Sequence, residues 1–144
     1  MLKGVDPLLS PDLLRTLRAM GHGDDLVIVD ANYPAEASGR PVIRLDGHSA
    51  TAVLDAVLSV LPLDDFVPAA AWRMEVVGEA PTEEQPVFDE FRQLIAKHEA
   101  TPFTLASLER FAFYAQARAA FALIATGERR LYGNIILRKG VIRT

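Results

Sequence analysis

The chain contains no cysteine. That excludes a disulfide framework, a thiolate nucleophile and any cysteine-ligated metal. Its three histidines, His22, His48 and His98, are too widely spaced for a zinc pattern, so no metal site is expected. No unbroken apolar run approaches the roughly 20 residues that cross a bilayer. The stretch Met1 to Asp6 lacks the apolar core of a secretory leader. Basic charge is not in excess either: 15 Lys and Arg stand against 19 Asp and Glu, a net charge of -4. Nucleic-acid binders usually carry the opposite balance. There is no phosphate loop, Gly-His-Gly-Asp is not a dinucleotide fingerprint, and no serine sits in a nucleophile-elbow context. These absences point to a cytoplasmic protein with no membrane and no nucleic-acid partner.

What is present is apolar mass. Half of the 144 residues are hydrophobic. That is high for a chain whose surface-to-volume ratio is large, and it implies an Ala/Val/Leu-rich core together with apolar surface buried between subunits. The length fits one domain over 1–144. The basic residues near the C-terminus (Arg129, Arg130, Arg138, Lys139, Arg143) read as a solvated face or a subunit contact.

Along the chain, Ser10-Pro11-Asp12 opens a helix with a capping hydroxyl, a proline in the first turn and an acid at the positive dipole end. Leu13, Leu14, Leu17 and Met20 share a face, and Gly21 is expected to stop the helix. Leu26 to Val29 and Val42 to Leu45 read as short strands. Residues 49–61 read as a helix with Ala52, Val53, Ala56, Val57 and Val60 inward, ended by Pro62. Trp72, Met74 and Val76 alternate with Arg73 and Glu75, as in a strand with one wetter face. Gly78 to Pro86 is a loop, and Val87 to Ile95 carries a helical pattern. Thr104 to Leu108 reads as a strand, Glu109 to Ala119 as a helix, and Phe121 to Ala125 and Ile135 to Leu137 as extended. Strands and helices alternate. The expectation is an α/β fold with a mostly parallel sheet and helices packed on it.

The feature with most chemical content is Gly21-His22-Gly23-Asp24-Asp25, followed by an apolar run ending in Asp30. Flanking glycines expose an imidazole, the side chain that exchanges a proton near neutral pH. Ligands in such sheets sit beyond the carboxyl ends of the strands, where Asp30 lies. His22 would be about 25 Å away along an extended run. Either the 22–25 segment folds back, or the two act in different parts of a site, on different subunits. Arg110 and Tyr114 are four apart on one helix face, a fork of donors beside a phenol. By themselves they read first as an ion-paired arginine and a packed tyrosine with its hydroxyl at the surface. Tyr132-Gly133-Asn134 puts a phenol and an amide on one side of an extended stretch, or else forms an ordinary turn. His48 and His98 read as structural, and Asp24, Asp25, Asp64 and Asp65 as solvated turn residues rather than a metal cluster.

Several longer motifs, in order, carry a resemblance. Leu8 to Leu14, Met20 to Asp24, Asp30-Ala31-Asn32-Tyr33-Pro34, Arg110-Phe111-Ala112-Phe113-Tyr114, Thr126-Gly127-Glu128 and Tyr132 to Val141 together resemble the L-fucose mutarotase / D-ribose pyranase family. The Arg-Phe-Ala-Phe-Tyr stretch places the resemblance on the fucose mutarotase branch. The resemblance implies an isomerase that interconverts the anomers of a free monosaccharide, most directly L-fucose, by general acid/base ring opening. It implies self-association to a ring, a homodecamer, with sites at subunit contacts. It implies His22 as the general acid and Asp30, Arg110, Tyr132 and Asn134 as sugar contacts. Helix spacing adds Tyr114 to that set, and Tyr33 or Trp72 would pack on the sugar's apolar face. The proton acceptor is left open among Asp30, Tyr132 and a water. Such a reaction needs no cofactor. Rival readings are a D-ribose pyranase-type activity, a non-catalytic monosaccharide-binding oligomer and a structural assembly with a vestigial site.

Overall fold

A computed structural model describes residues 1–144. Leu26, Val27, Ile28 and Val29 are all fully buried in β1 (Asp25–Val29). A strand covered on both faces reads as an unbroken apolar run, and side-chain alternation explains how. Leu26 and Ile28 enter one core, and Val27 and Val29 enter a second on the opposite face.

The remaining elements follow as α1 (Pro11–Ala19), β2 (Val42–Leu45), α2 (Ala50–Leu58), β3 (Ala71–Met74), α3 (Pro86–His98), β4 (Leu105–Leu108), α4 (Arg110–Arg118), β5 (Ala122–Thr126) and β6 (Ile135–Arg138). The sheet order is β2-β5-β1-β6-β3-β4. Five strands run one way and β6 alone is reversed, pairing antiparallel with both β1 and β3. The fold is therefore α/β with a mixed but mostly parallel sheet. Buried side chains of α1, α2 and α3 join the larger core on one face, and Phe113 and Ala117 of α4 join the smaller core on the other.

Several local expectations change. Gly21 does not terminate α1 by a left-handed turn: it is absent from the positive-φ glycines, and the cap residue Met20 is already extended. The ammonium of Lys139 instead receives the end of the helix, donating to the carbonyls of Leu17 at 2.7 Å and Met20 at 2.6 Å. In α2 the buried side is Ala50, Val53, Leu54, Ala56, Val57 and Leu58, whereas Ala52 and Val60 are exposed. The helix also stops before Pro62, because Ser59 ends it. Strand β3 has no wet face. Arg73 is 4% exposed, its guanidinium 4.4 Å above the Phe88 ring and donating to the Pro81 carbonyl at 3.0 Å.

Of the four aspartates expected in solvent, Asp25 and Asp64 are buried. Asp25 accepts a two-pronged bond from Arg138, at 2.8 and 2.9 Å, and one from Gln116. Of the C-terminal cations, Arg129, Arg130 and Arg143 are exposed, as a solvated face requires, and three of the five are ion-paired. Arg130 pairs with Glu128 and Glu90, Arg138 with Asp25 and Arg143 with Asp65. His98 is structural, bonded to Asp55 at 2.6 Å.

Candidate active site

The reversal of β6 builds the site. Parallel strands deliver their carboxyl ends to one edge of the sheet, and an antiparallel neighbour delivers its amino end there. Asp30 follows β1, Asn134 precedes β6, and the register Ile28↔Ile135 sets them side by side. The Asn134 amide closes the pair: its oxygen accepts from Asp30 N at 2.8 Å, and its nitrogen donates to Asp30 Oδ2 at 3.1 Å. Asn32 N donates to Asp30 Oδ1 at 2.9 Å. Burial nevertheless dominates these bonds, and it pushes the Asp30 carboxyl above the ordinary aspartate value.

Tyr132 adopts a left-handed backbone with φ 63°, a conformation that side chains rarely take without support. Its hydroxyl accepts a bond from Val77 N at 3.0 Å. Gly133, next to it, has no room for a side chain, since a Cβ would lie 2.6 Å from Glu128 Cγ. The connection from β5 to β6 thus packs closely on itself, Glu128 against the segment that carries Tyr132 and Asn134.

Helix α4 starts at the carboxyl end of β4 and brings in Arg110 and Tyr114. The Glu109 carboxylate caps it, accepting from Phe111 N at 2.8 Å and Ala112 N at 3.1 Å. Arg110 forms no ion pair, and its guanidinium lies over the Phe111 ring at 4.7 Å. Tyr114 meets Tyr33 edge-on at 5.4 Å between ring centres. Burial, followed by the neighbouring Tyr114, raises the Tyr33 phenol well above its ordinary value, so it stays protonated.

Asp30, Arg110, Tyr114, Tyr132 and Asn134 line one open cavity of about 190 Å³, with Tyr33 and the apolar side chains of Met74, Val77 and Leu131 completing its wall. That is room for several waters or one small ligand. Trp72 is not part of it and packs beneath Arg138. Carboxylate, amide, guanidinium and phenols against an aromatic and aliphatic wall are the groups that bind a small polyhydroxylated molecule.

His22 lies elsewhere. The chain from Gly23 continues beside β6, with Gly23 N donating to Lys139 O at 2.9 Å, so residues 22–25 do not fold back toward Asp30. At this opposite end of the sheet, His22 Nε2 is 3.0 Å from Asp64 Oδ1. A carboxylate accepts but does not donate, so Nε2 carries the proton and Nδ1 is the free nitrogen. Asp64 also accepts from Phe66 N at 3.0 Å, and the His22 ring leans on Phe66 at 5.2 Å. The His22 side chain remains 44% exposed. Asp64 is the functional candidate that sequence reasoning missed. Its only sequence signal is the apolar setting of Leu61, Leu63 and Phe66 around an Asp-Asp pair, which hints at burial.

Fold and cavity together define an α/β protein with a small open pocket of polar and apolar groups beyond the strand ends and a carboxylate-held imidazole at the far edge. The chain belongs to the RbsD / FucU transport protein family, whose model matches residues 3–142. It is 46% identical to the human protein named fucose mutarotase, over 98% of this chain and 94% of that protein. It is also 46% identical to the L-fucose mutarotase of Haemophilus influenzae, over 98% of this chain and 97% of that one. Among solved structures, the fucose mutarotase of Streptococcus pneumoniae in complex with L-fucose superposes with a TM-score of 0.91. The two are 41% identical, covering 99% of this chain and 100% of that one.

Proposed function

We propose that the protein is a sugar mutarotase, an isomerase interconverting the α and β anomers of free L-fucose. The observation that carries this reading is the division of the site. The cavity holds the sugar-binding groups and a carboxylate of raised proton affinity but no imidazole, while an exposed, Asp64-oriented imidazole stands at the other end. Identity above 40% along nearly the whole length to fucose mutarotases supports the substrate.

A closed site needs a second copy. The apolar residues exposed near His22 (Phe66, Val141, Ile142) and near the cavity (Val77, Phe111, Leu131) suit a head-to-tail contact between unlike ends. In that arrangement the partner subunit's His22 reaches the cavity of the next copy. Head-to-tail contacts close into rings when the rotation permits, and the ring proposed here is a homodecamer.

The reaction is then a pair of proton transfers. His22 Nδ1 in its protonated form gives a proton to the ring oxygen while Asp30 takes one from the anomeric hydroxyl. The C1–O bond of the ring breaks to leave an aldehyde. The C1–C2 bond turns, and the hydroxyl re-adds to the other face as both protons return. Arg110 and Asn134 hold hydroxyls, Tyr114 and Tyr132 orient the ring, and Met74 and Val77 take its apolar side. The cycle is redox-neutral and consumes no cofactor.

Saturation-transfer NMR on L-fucose tests the proposal, with D-ribose as the comparison sugar. The protein should accelerate L-fucose anomer exchange above the D-ribose rate. His22→Ala should lose about 10²–10⁴-fold, the range a positioned acid contributes, with its circular dichroism unchanged. Binding without accelerated exchange would favour a non-catalytic sugar-binding oligomer, and unchanged exchange in His22→Ala would remove the imidazole from the reaction.

A further inference from the structure

Arg138-Lys139-Gly140 lies near the end of the longest matching motif, Tyr132 to Val141, yet none of the three lines the sugar cavity. The segment lies instead between the two loops that make the imidazole–carboxylate pair. On one side Gly23 N donates to Lys139 O at 2.9 Å, and Lys139 N donates to Asp24 O at 2.9 Å. On the other side Asp64 N donates to Arg138 O at 3.0 Å, and Gly140 N donates to Pro62 O at 2.8 Å. Leu63 faces Lys139 as an antiparallel bridge. Gly140 makes this approach feasible, because a Cβ there would collide with the Leu63 carbonyl and lie 2.8 Å from Asp64 Cα.

The Lys139 side chain completes the frame. Its ammonium donates to the Met20 carbonyl at 2.6 Å, directly before Gly21, and to the Leu17 carbonyl at 2.7 Å. With Gly21 making no left-handed turn, this remote cation gives the helix end its partner and its charge complement. A compact ammonium with three donors can serve two converging carbonyls. Burial lowers its proton affinity.

We propose that Lys139 is a positioning residue of the His22–Asp64 pair, with Arg138 to Gly140 acting as the spacer that sets the distance between imidazole and carboxylate. The inference rests on His22 as the acid of the proposed reaction, but it makes structural statements that are read without turnover. The strain of misplacement falls on the proton donor and not on the sugar cavity at the other end of the sheet. Loss of the clamp therefore acts on kcat.

The test compares Lys139→Met, which keeps length and loses the donors, with Lys139→Arg, which keeps them. Lys139→Met should lower kcat for anomer exchange by roughly tenfold to hundredfold, the scale of an ångström-level misplacement. KM for L-fucose should move less than about twofold. The hydrogen-bonded Nε2 proton signal of His22 should weaken in ¹⁵N-edited NMR, and Lys139→Arg should recover most of both readouts. A wild-type kcat and an unchanged His22 signal in Lys139→Met would overturn the proposal. Native-state hydrogen exchange on the unmodified protein supplies a second arm if Lys139→Met does not fold. The Gly23, Asp64, Lys139 and Gly140 amides should open together, and an Asp64 amide exchanging more than about tenfold faster than the other three would overturn the spacer. A wild-type protein that fails to exchange anomers would sink the functional reading alone, leaving the NMR and hydrogen-exchange outcomes to judge Lys139.

Discussion

At Asp30 two effects compete, and the larger decides what the residue can do. The amide of Asn134 and the backbone N–H of Asn32 both stabilise the carboxylate, while burial disfavours its charge. Burial is the larger, so the folded-state value lies above the 3.8 of a free aspartate. The sign follows from linkage. Between 3.8 and the higher folded-state midpoint the native chain binds more protons than the unfolded one, so Asp30's contribution to stability falls as pH rises through that window. For the proposed reaction the same shift makes Asp30 a stronger base than an ordinary carboxylate. A carboxyl ¹³C titration should place its midpoint above 3.8, with the acid limb of anomer exchange falling at the same pH. A midpoint at or below the free value would take away its role as base. None of this balance was legible in the sequence. That Asp30 ends a buried strand was, but its Asn134 partner lies 104 positions away.

Elements deliver these side chains, and α4 shows how a local signal fixes a non-local site. Arg110 and Tyr114 share a face because they are four apart in a helix, which spacing alone predicted. Spacing left open whether the arginine was ion-paired, and the structure resolves this with a guanidinium stacked on Phe111 and facing the cavity. The helix begins where it does because Glu109 caps it. Glu109→Ala should cost about 1 kcal/mol of stability, the usual scale of a lost N-cap. Because that end carries Arg110, KM for the sugar should rise more than kcat falls. Urea unfolding midpoints with steady-state exchange kinetics check both, and an unchanged KM would detach the cap from the cavity wall. Strand β3 is the opposite lesson. Its alternating pattern predicted a wet face, but α3 covers that face and the Arg73 guanidinium lies over Phe88. A period-2 pattern reports polarity, and tertiary packing decides whether a long cationic stem is covered.

At the scale of the whole molecule, the two halves of the proposed site stand at opposite ends of one sheet. A mixing experiment reads this directly. His22→Ala lacks the donor and Tyr132→Ala lacks part of the cavity, so each alone should be nearly inactive. Co-expressed in equal amounts, random neighbours would rebuild roughly a quarter of the sites if donor and cavity come from different copies in a head-to-tail contact. No recovery, in an assembly shown by sedimentation to contain both variants, would place the two groups in separate functions.

The sequence by itself determined the elements and their class. The doubly buried run Leu26 to Val29, the Ser10 cap and the alternation of strands with helices are local signals of hydrophobic period and backbone capping. It also carried the chemistry-bearing residues one by one, because side-chain type is local information. Only the tertiary structure decided which of them meet. The reversed β6 sets Asn134 against Asp30, and the spacer at Lys139 sets Asp64 against His22. The physical reason is that a hydrogen bond across a sheet depends on strand order and register, which the whole core selects and no short window of residues encodes.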